Sequence, residues 1–349
     1  MEDCELTSFR QLLSGKHILV TGGAGFIGSH LAENLLKLNC SVTVLDNFST
    51  GKRENLAALA DNKNFRLMEG DIRNMDDCRK ALENVDMVLH EAALGSVPRS
   101  IKDPVTSTHV NILGFVNMLT ASVEAKVERF VYAASSSTYG DSKALPKVED
   151  KIGNPLSPYA ITKYVNELYA ANFHTLYGID TVGLRYFNVF GPRQDPAGAY
   201  AAVIPKFAKS LLAHKSPVIN GDGSYSRDFT FVENVVQANF LALTTEKKEA
   251  LNTVYNVAFG ERTTLNELFL FLREALEKSD PAVKEVSVLY GPERKGDIPH
   301  SLASIEKAGI LLGYTPRFSV KAGLQATAAW YYEQEKTGKQ KYSSDCMMP

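Results

Sequence analysis

The chain has 349 residues, of which 44% are hydrophobic and 22% are charged, and its formal net charge is −2. This composition is typical of a globular protein with about two domains, and the small net charge gives no reason to expect binding to nucleic acid or to an anionic membrane. No apolar run approaches the roughly 18 residues of a membrane-spanning helix, and the acidic N-terminus is unlike a secretory signal. The four cysteines form no CxxC pair, which argues against a disulfide framework and a zinc site and favours a reducing cytoplasm.

Short apolar runs alternate with helical patterns through the first half of the chain. Strands are predicted at 18–20, 42–45, 65–68, 87–89, 130–132 and 181–184. A helical pattern over 22–37 follows the first strand. Such alternation predicts an α/β fold with a Rossmann-type, doubly wound parallel sheet and helices on both faces. After about residue 190 the alternation becomes irregular, which favours a smaller α/β substrate-binding domain with an amphipathic helix over 267–277.

These patterns also predict the domain boundaries. The Rossmann domain is expected over 16–190 with a returning segment near 230–260, and the second domain over 191–229 and 261–335. The ends, 1–15 and 336–349, are expected to be flexible.

A glycine-rich turn follows the first predicted strand and opens the first predicted helix. Gly22, Gly25 and Gly28 give a GxxGxxG spacing, which permits a tight turn, close approach of a pyrophosphate and close packing of helix on strand. The helix start would then present free N–H groups and a positive dipole end to the phosphates. In this strand–turn–helix context the pattern predicts a dinucleotide site.

The second predicted strand ends in an acidic residue, Asp46. A carboxylate here can accept hydrogen bonds from both hydroxyls of an adenosine ribose and repels a 2′-phosphate, which favours NAD over NADP. Lys52 and Arg53 follow closely, so NADP stays open as an alternative. Asp71 and Ile72, after the third strand, are expected near the adenine, or else they cap the end of that strand.

A Tyr/Lys pair stands at the start of a later predicted helix. Ser157 is a suitable N-cap and Pro158 suits the first helical position, so Tyr159 and Lys163 share one helical face. A nearby ammonium and a nicotinium charge would lower the pKa of the tyrosine and let it act as a general base. The serine run 135–137 follows a strand, at the carboxyl edge of the sheet where ligands bind, and could hydrogen-bond the reacting oxygen.

These motifs occur together and in order. In chain order they are the segments GGAGFIGSH, VLDNFSTG, GDIRN, HEAA, SSSTYGD, SPYAITK, LRYFNVFGPRQ and RDFTFVENVV. Over roughly residues 16–335 the chain resembles the extended short-chain dehydrogenase/reductase family, and within it the bacterial UDP-N-acetylhexosamine 4-epimerases. The resemblance implies that Tyr159 and Lys163 are the catalytic Tyr-x-x-x-Lys and that Ser135 or Ser136 is the assisting hydroxyl.

The resemblance also implies the binding residues. Those expected to bind NAD are Gly22, Gly25, Phe26, Ile27, Gly28, Asp46, Asn47, Ser49, Thr50, Gly51, Asp71, Ile72, Ala92, Ala93, Tyr159, Lys163 and Tyr186. Those expected to bind a UDP-sugar are Ser96, Ser135, Ser136, Tyr159, Asn188, Val203, Arg227, Arg294, Asp297 and Ser301. The loop after Ala93 departs from UDP-galactose epimerases because it lacks their lysine. No histidine has metal-ligand spacing, and no metal is expected.

The reaction expected from this resemblance is epimerisation at C4. Related 4,6-dehydratases carry an Asp-Glu pair after the Ser/Thr, where this chain reads Ser136-Ser137-Thr138, so elimination lacks its acid. Tyr159 would take the proton of the 4-hydroxyl while C4 is oxidised, and the 4-keto sugar would then be reduced on its opposite face, leaving NAD bound and unchanged. Ser301 stands where galactose-restricted epimerases have a tyrosine, so an N-acetyl group would fit.

Other functions are compatible with the same fold. A nucleotide-sugar reductase or decarboxylase would change the NADH concentration in bulk solution, whereas an epimerase would not. A non-catalytic NAD(H) sensor would not need the Tyr159/Lys163 pair. The expected substrates are UDP-GlcNAc and UDP-GalNAc or the matching uronic acids, and the helices near 104–126 and 158–177 resemble a dimer-forming pair, so a homodimer is expected.

Overall fold

A computed structural model describes residues 3–195, 202–293 and 298–345. The helices are α1 (Asp3–Leu13), α2 (Phe26–Lys37), α3 (Met75–Ala81), α4 (Val97–Lys102), α5 (Pro104–Thr108), α6 (Gly114–Ala125), α7 (Pro158–Tyr177), α8 (Val203–Leu212), α9 (Val232–Thr244), α10 (Leu265–Glu277), α11 (Glu306–Leu312) and α12 (Val320–Asp345). The strands are β1 (His17–Thr21), β2 (Ser41–Asp46), β3 (Phe65–Glu69), β4 (Met87–His90), β5 (Arg129–Ser135), β6 (Thr181–Tyr186), β7 (Val189–Phe190), β8 (Val218–Asn220), β9 (Ser226–Arg227), β10 (Thr230–Phe231), β11 (Thr253–Val257), β12 (Thr263–Thr264) and β13 (Leu289–Gly291).

Within the described residues, seven strands form one sheet in the order β11-β6-β5-β4-β1-β2-β3. Every neighbouring pair in it is parallel. The chain winds outward in one direction from β1 to β3 and in the other from β4 to β11, so the predicted doubly wound, Rossmann-type sheet is confirmed. In such sheets ligands bind beyond the carboxyl ends of the strands, at the point where the winding reverses. That point lies between β1 and β4.

The central strands are mostly apolar between their ends because helices cover both faces of the sheet. Ile18, Leu19 and Val20 of β1 are completely buried. On one face an aromatic cluster joins α6 to β5, where the ring centroid of Phe115 lies 5.8 Å from that of Phe130 and 5.3 Å from that of Tyr132. This packing fixes the strand ends that carry the polar residues of the predicted site.

Helix α7 begins where the sequence predicts. Ser157 is its N-cap and accepts a hydrogen bond from the N–H of Ala160 at 3.1 Å, and a proline occupies the first helical position. Glu167, in the middle of α7, forms a bidentate ion pair with Arg185 of β6, with N–O distances of 2.8 and 2.7 Å. Both side chains are buried. The helix that carries the Tyr/Lys pair is therefore anchored to the sheet.

The chain divides into two compact units, of which the first comprises Met1–Phe187, Glu233–Ala258 and Ala303–Pro316. The assignment of Ala303–Pro316 to the first unit differs from the predicted boundaries, which placed 261–335 in the second domain. This segment belongs to the first unit because α11 packs on β11 and the Tyr314 hydroxyl donates to the Ala258 carbonyl. These contacts join residues distant in sequence, so no local pattern indicates them.

The second unit comprises Asn188–Val232, Phe259–Leu302 and Arg317–Pro349. In it α10 packs against α8 and α12, and short strands pair as β7 with β10, β8 with β13 and β9 with β12. A capping box between Thr264 and Glu267 starts α10. The helix expected over 267–277 is thus confirmed, with two further residues at its start.

The prediction that residues 1–15 are flexible was wrong for residues 3–13. Residues 3–13 form α1, which buries Phe9 and Leu13, and the Phe9 ring contacts Phe240 with a centroid distance of 5.6 Å. Burial of these side chains orders the segment. At the other end, α12 extends into the segment expected to be flexible. No helix in the described part of the chain combines the length and apolarity needed to cross a membrane.

Candidate functional site

The glycine loop lies at the switch point of the sheet. Gly22 has a left-handed φ of +66°, and a Cβ there would lie 2.8 Å from the backbone of Ala92. A Cβ on Gly28 would lie 2.3 Å from the Gly22 carbonyl oxygen. Gly25 is the N-cap of α2 and provides no side chain to cap the first amides, which belong to Phe26, Ile27 and Gly28. The turn therefore leaves a cradle in which the first helix amides have no side-chain cap, the arrangement that binds phosphates.

A second loop, at the end of β2, closes against the glycine loop. Asp46 accepts hydrogen bonds from the N–H of Ala24 at 2.9 Å and of Phe48 at 2.8 Å. A Cβ on Gly51 would lie 2.9 Å from the Asp46 carboxylate. Burial raises the pKa of Asp46, and the two backbone hydrogen bonds oppose that rise. The loop also contains Asn47, Ser49 and Thr50, all exposed.

The residues after β3 are engaged within the protein. Asp71 pairs with Arg73 at 2.6 Å and accepts a hydrogen bond from Asn47 at 2.9 Å, and these contacts lower its pKa to about 2, the Arg73 hydrogen bond contributing most. Ile72 is buried and belongs to the core of the first unit. The Asp71 side chain also accepts from the Arg73 N–H, so it caps the strand end, one of the two alternatives left open by the sequence. Arg53, whose positive charge left NADP open as an alternative cofactor, forms an ion pair with Glu69.

The predicted catalytic side chains converge at the carboxyl edge of the sheet. The Tyr159 phenol lies close enough to Ser135, at the end of β5, for that hydroxyl to lower the pKa of the phenol. Ser136 begins the following 3₁₀ turn and is partly exposed. The Lys163 ammonium is buried and donates to the Ala133 carbonyl at 2.7 Å. The structure thus brings Ser135, Tyr159 and Lys163 together.

Burial controls the acid–base properties of this cluster. Burial raises the pKa of Tyr159, the Ser135 hydroxyl lowers it and the charge of Glu91 raises it. Burial lowers the pKa of Lys163 to about 8, and the charges of Glu91 and Glu167 oppose that shift. In the protein without NAD, burial outweighs the lowering by Ser135 and the pKa of Tyr159 is raised. The lowering expected with the nicotinium charge beside the phenol stays a prediction.

Near the cluster lie Tyr186, which was predicted from the sequence, and two residues that were not, Glu91 and Ser100. Tyr186 donates to Glu91 at 2.7 Å and accepts from Asn239 at 2.9 Å. Ser100 accepts from the N–H of Tyr159 at 3.0 Å and so holds the start of α7. One sequence feature could have identified Glu91, because it is a carboxylate directly after an apolar strand. Ser100 has no such feature, because its partner is 59 residues away in the sequence.

Two alanines and one serine of the following loop were also predicted site residues. Ala92 donates its N–H to the Thr21 hydroxyl at 3.3 Å and borders Gly22. Ala93 is partly exposed. The Ser96 hydroxyl is the N-cap of α4 and accepts a hydrogen bond from the N–H of Arg99 at 3.2 Å. This hydroxyl therefore stabilises the start of α4.

The second unit contains a cavity of about 720 Å³. Asn188, Val203 and Arg227, all predicted from sequence, line it together with the aromatic side chains of Tyr225 and Phe229. Its volume suits a small-molecule ligand of nucleotide size. Arg227 donates from Nη1 to the carbonyls of Ser226 at 3.0 Å and Pro299 at 3.1 Å, which holds its guanidinium at the cavity wall.

The other predicted substrate residues are placed differently. Ser301 is partly exposed and donates its N–H to the Ser226 carbonyl at 3.1 Å, but it is not among the residues that line the cavity. Arg294 and Asp297 lie outside the described residues.

A sequence model of the NAD dependent epimerase/dehydratase family matches residues 18–258, more than half of the chain. The chain belongs to this family. Its glycine loop, seven-stranded sheet and Tyr/Lys helix all fall inside the matched range.

Solved structures agree with this assignment. The chain is similar to the UDP-N-acetylglucosamine 4-epimerase of Methanobrevibacter ruminantium M1, solved with UDP-N-acetylmuramic acid, with 39% identity, a TM-score of 0.86 and coverage of 92% of this chain and 100% of that one. It is similar to the UDP-glucose 4-epimerase of Thermotoga maritima, solved with UDP-glucose, with 37% identity, a TM-score of 0.83 and coverage of 91% and 99%. It is also similar to the UDP-glucuronic acid 4-epimerase of Bacillus cereus, solved with UDP-glucuronic acid and NAD, with 34% identity, a TM-score of 0.81 and coverage of 91% and 99%.

The cofactor of this epimerase/dehydratase chain is NAD. The first unit fits it, because the cradle at Gly22 and Gly28 is closed to any Cβ and the amides at the start of α2 have no side-chain cap. Asp46, at the end of β2, stands where a ribose diol would be bound. When bound, NAD supplies a reversible two-electron oxidation. The individual contacts of these residues with NAD stay a prediction.

We expect Gly28→Ala to weaken NAD binding by about 5- to 150-fold, because fitting a methyl group against backbone atoms costs about 1–3 kcal/mol. The added Cβ would lie 2.3 Å from the Gly22 carbonyl oxygen and 2.8 Å from the Gly23 Cα, and neither can move without opening the turn. Calorimetric titration of the NAD-stripped variant measures the loss. Gly95→Ala is the matched control, since a Cβ there meets nothing within 4 Å. Equal affinities for the two variants would contradict this function of the loop.

Proposed function

We propose that the protein is a UDP-sugar 4-epimerase that interconverts UDP-GlcNAc and UDP-GalNAc, with the matching uronic acids as a second substrate class. The convergence of Tyr159, Ser135 and Lys163 at the carboxyl edge of the sheet carries the proposal. The relatives with UDP-N-acetylglucosamine and UDP-glucuronic acid 4-epimerase activities in their names support the two substrate classes.

The chemistry follows from the positions of these groups. Tyr159 accepts the proton of the sugar 4-hydroxyl as C4 is oxidised to the ketone, and returns it when C4 is reduced on the opposite face. Ser135 lies beside the same phenol and would hold the reacting oxygen. Lys163, as an ammonium, favours the phenolate. The positions after Ser135, where 4,6-dehydratases carry an Asp-Glu pair, read Ser136-Ser137-Thr138, so this site has no acid there to drive elimination.

We assign the cavity of the second unit to the nucleotide part of the substrate. Guanidinium groups match phosphate geometry, and Arg227 is braced at the cavity wall by two carbonyls. Val203 begins α8 at the same wall, and Phe229 gives it an apolar surface suited to a base.

The reaction is tested with the enzyme as purified, without added NAD, on UDP-GlcNAc, its uronate and UDP-glucose, with separation of the products. We expect 4-epimers without net NADH. We expect Tyr159→Phe to keep NAD and to lose about 10²- to 10⁴-fold in turnover, the contribution of general base catalysis. Tyr164→Phe, on the same helix, is the control and should retain turnover. Wild-type rates in Tyr159→Phe, or NADH accumulating in step with product, would refute the assignment.

Room for an N-acetyl group rests on Ser301, which donates its N–H to the carbonyl of Ser226, the residue before Arg227. The preference for N-acetylated sugars comes from the resemblance. We expect Ser301→Tyr to lower kcat/KM for UDP-GlcNAc by about 10- to 200-fold, because the ring fills the space of the acetamido group. UDP-glucose in the same variant is the control, since it lacks that group. Unchanged activity on UDP-GlcNAc would remove Ser301 from the specificity argument.

We also propose a homodimer formed through α7. This helix exposes Ile161, Leu168 and Leu176 on one face, and α5 beside it exposes Val105. Contiguous apolar surface on a folded protein usually marks an interface. A second copy of the chain is the occupant we infer, since the sequence resemblance implies dimer-forming helices at these positions.

Leu168→Glu should convert the dimer to a monomer, because two carboxylates would be desolvated at the interface. Sedimentation equilibrium of the NAD-loaded protein measures this. Ile310→Glu is the control, since Ile310 is equally exposed but lies on α11. A monomeric wild type would overturn the proposal.

We also propose that the protein is located in a reducing cytoplasm. The buried free thiols of Cys40 and Cys78 support this location.

A further inference from the structure

Both backbone groups of Tyr159 are hydrogen-bonded to side chains. Its N–H donates to the Ser100 hydroxyl of α4 at 3.0 Å, and its carbonyl accepts the Thr162 hydroxyl at 2.8 Å. Ser157 caps the next amide of α7, that of Ala160. The first amides of a helix have no partner within that helix, so the partner of the Tyr159 N–H comes from a different helix.

The Ser100 hydroxyl is used both as a donor and as an acceptor. Ser100 lies on α4, which packs on α7, and its side chain is completely buried. Its hydroxyl donates to the Val97 carbonyl at 2.8 Å while it accepts the Tyr159 N–H. One turn earlier, α4 begins at Ser96, which is expected from the sequence to contact the sugar. A short helix therefore joins a predicted sugar contact to the backbone of the proposed base.

The carbonyl of Tyr159 is connected to the same segment by a longer path. Thr162, which donates to this carbonyl, accepts a hydrogen bond from the Asn111 amide at 3.1 Å. The Asn111 side chain also accepts the N–H of Leu94 at 2.8 Å and donates to its carbonyl at 3.3 Å. Asn111 lies in a π-helical turn between α5 and α6, a rare conformation that is frequent at functional sites. The segment 94–100 thus holds the Tyr159 backbone from both sides.

We propose that Ser100 is a positioning residue that ties Tyr159 to the segment after β4 and so keeps the phenol within reach of the sugar 4-hydroxyl. The inference rests on the proposed 4-epimerase function and deepens it. Proton transfer needs a heavy-atom distance of about 2.6–3.2 Å, so a small displacement of the phenol slows the reaction. The nucleotide part of the substrate is assigned to the cavity of the second unit, so its affinity should not depend on Ser100.

The test measures kcat per molecule of bound NAD, together with the Kd for UDP, in Ser100→Ala. Counting bound NAD restricts the rate to folded protein. We expect kcat to fall by about 10- to 100-fold, because a displacement of the reacting groups by about 1 Å has an effect of this size. The Kd for UDP should stay at the wild-type value.

Ser107→Ala is the matched control. Ser107, on α5, is also buried, and its hydroxyl donates to the Asp103 carbonyl at 2.9 Å. Removal of this hydroxyl leaves the Tyr159 N–H bonded to Ser100, so kcat should match the wild type. Equal kcat values in Ser100→Ala and Ser107→Ala would overturn the inference.

A conservative variant separates the hydroxyl from the shape of the side chain. Ser100→Thr retains the hydroxyl and should keep a higher kcat than Ser100→Ala. A Ser100→Thr rate no higher than that of Ser100→Ala would mean that packing matters and the hydroxyl does not, and the inference would fail. If Ser100→Ala binds no NAD, Ser100→Cys replaces it with the same expectation, since a thiol is of similar size but a weak acceptor.

A second measurement does not depend on turnover. Hydrogen exchange of the Tyr159 amide in the NAD-loaded proteins should be about 2- to 10-fold faster in Ser100→Ala than in the wild type, the effect of one hydrogen bond. The Ala160 amide, which Ser157 caps, should exchange at the same rate in both. Unchanged exchange at Tyr159 would refute the positioning role. Absence of any 4-epimer from the wild type would instead defeat the proposed function, and the exchange rates would still decide whether Ser100 holds Tyr159.

Discussion

The ion pair between Arg185 of β6 and Glu167 of α7 is the contact on which the catalytic geometry depends. It is buried and bidentate, so its loss would leave an uncompensated charge in the interior. Glu167 lies one helical turn beyond Lys163, and Lys163 is itself tied to the Ala133 carbonyl of β5. Two adjacent strands thus hold one helix in register, and Tyr159 reaches Ser135 as a result.

The same sheet edge also carries the loops that are predicted to bind the cofactor. The glycine turn after β1 and the acidic loop after β2 close on each other through the Asp46–Ala24 hydrogen bond. Parallel strands place their carboxyl ends side by side, so residues from β1, β2, β4, β5 and β6 meet although they are distant in sequence. Polar atoms gathered at one edge, with apolar strands below them, give a rigid support for chemistry at the surface of the core.

Much of this could be predicted because the signals are local. The turn at Gly22, the N-cap at Ser157 and the i, i+4 relation of Tyr159 and Lys163 each depend on residues within a few positions of one another. The boundary at 303–316 and the buried helix α1 could not be predicted, since each depends on a distant partner: Ala258 in the first case and Phe240 in the second. The rise that burial gives the pKa of Tyr159 in the protein without NAD was not predictable either, because desolvation is a property of the assembled core.

The sequence by itself therefore determined the fold class and the cofactor class, and it predicted the Tyr/Lys pair, because periodicity, turn chemistry and short spacing are written along the chain. Only the tertiary structure decided which serine lies beside Tyr159, what holds Lys163 and which side chain Glu91 contacts. Tyr186 and Glu91 are 95 residues apart and meet at 2.7 Å. Such a contact follows from the strand order, and with it come the burial and the neighbouring charges that set each proton affinity.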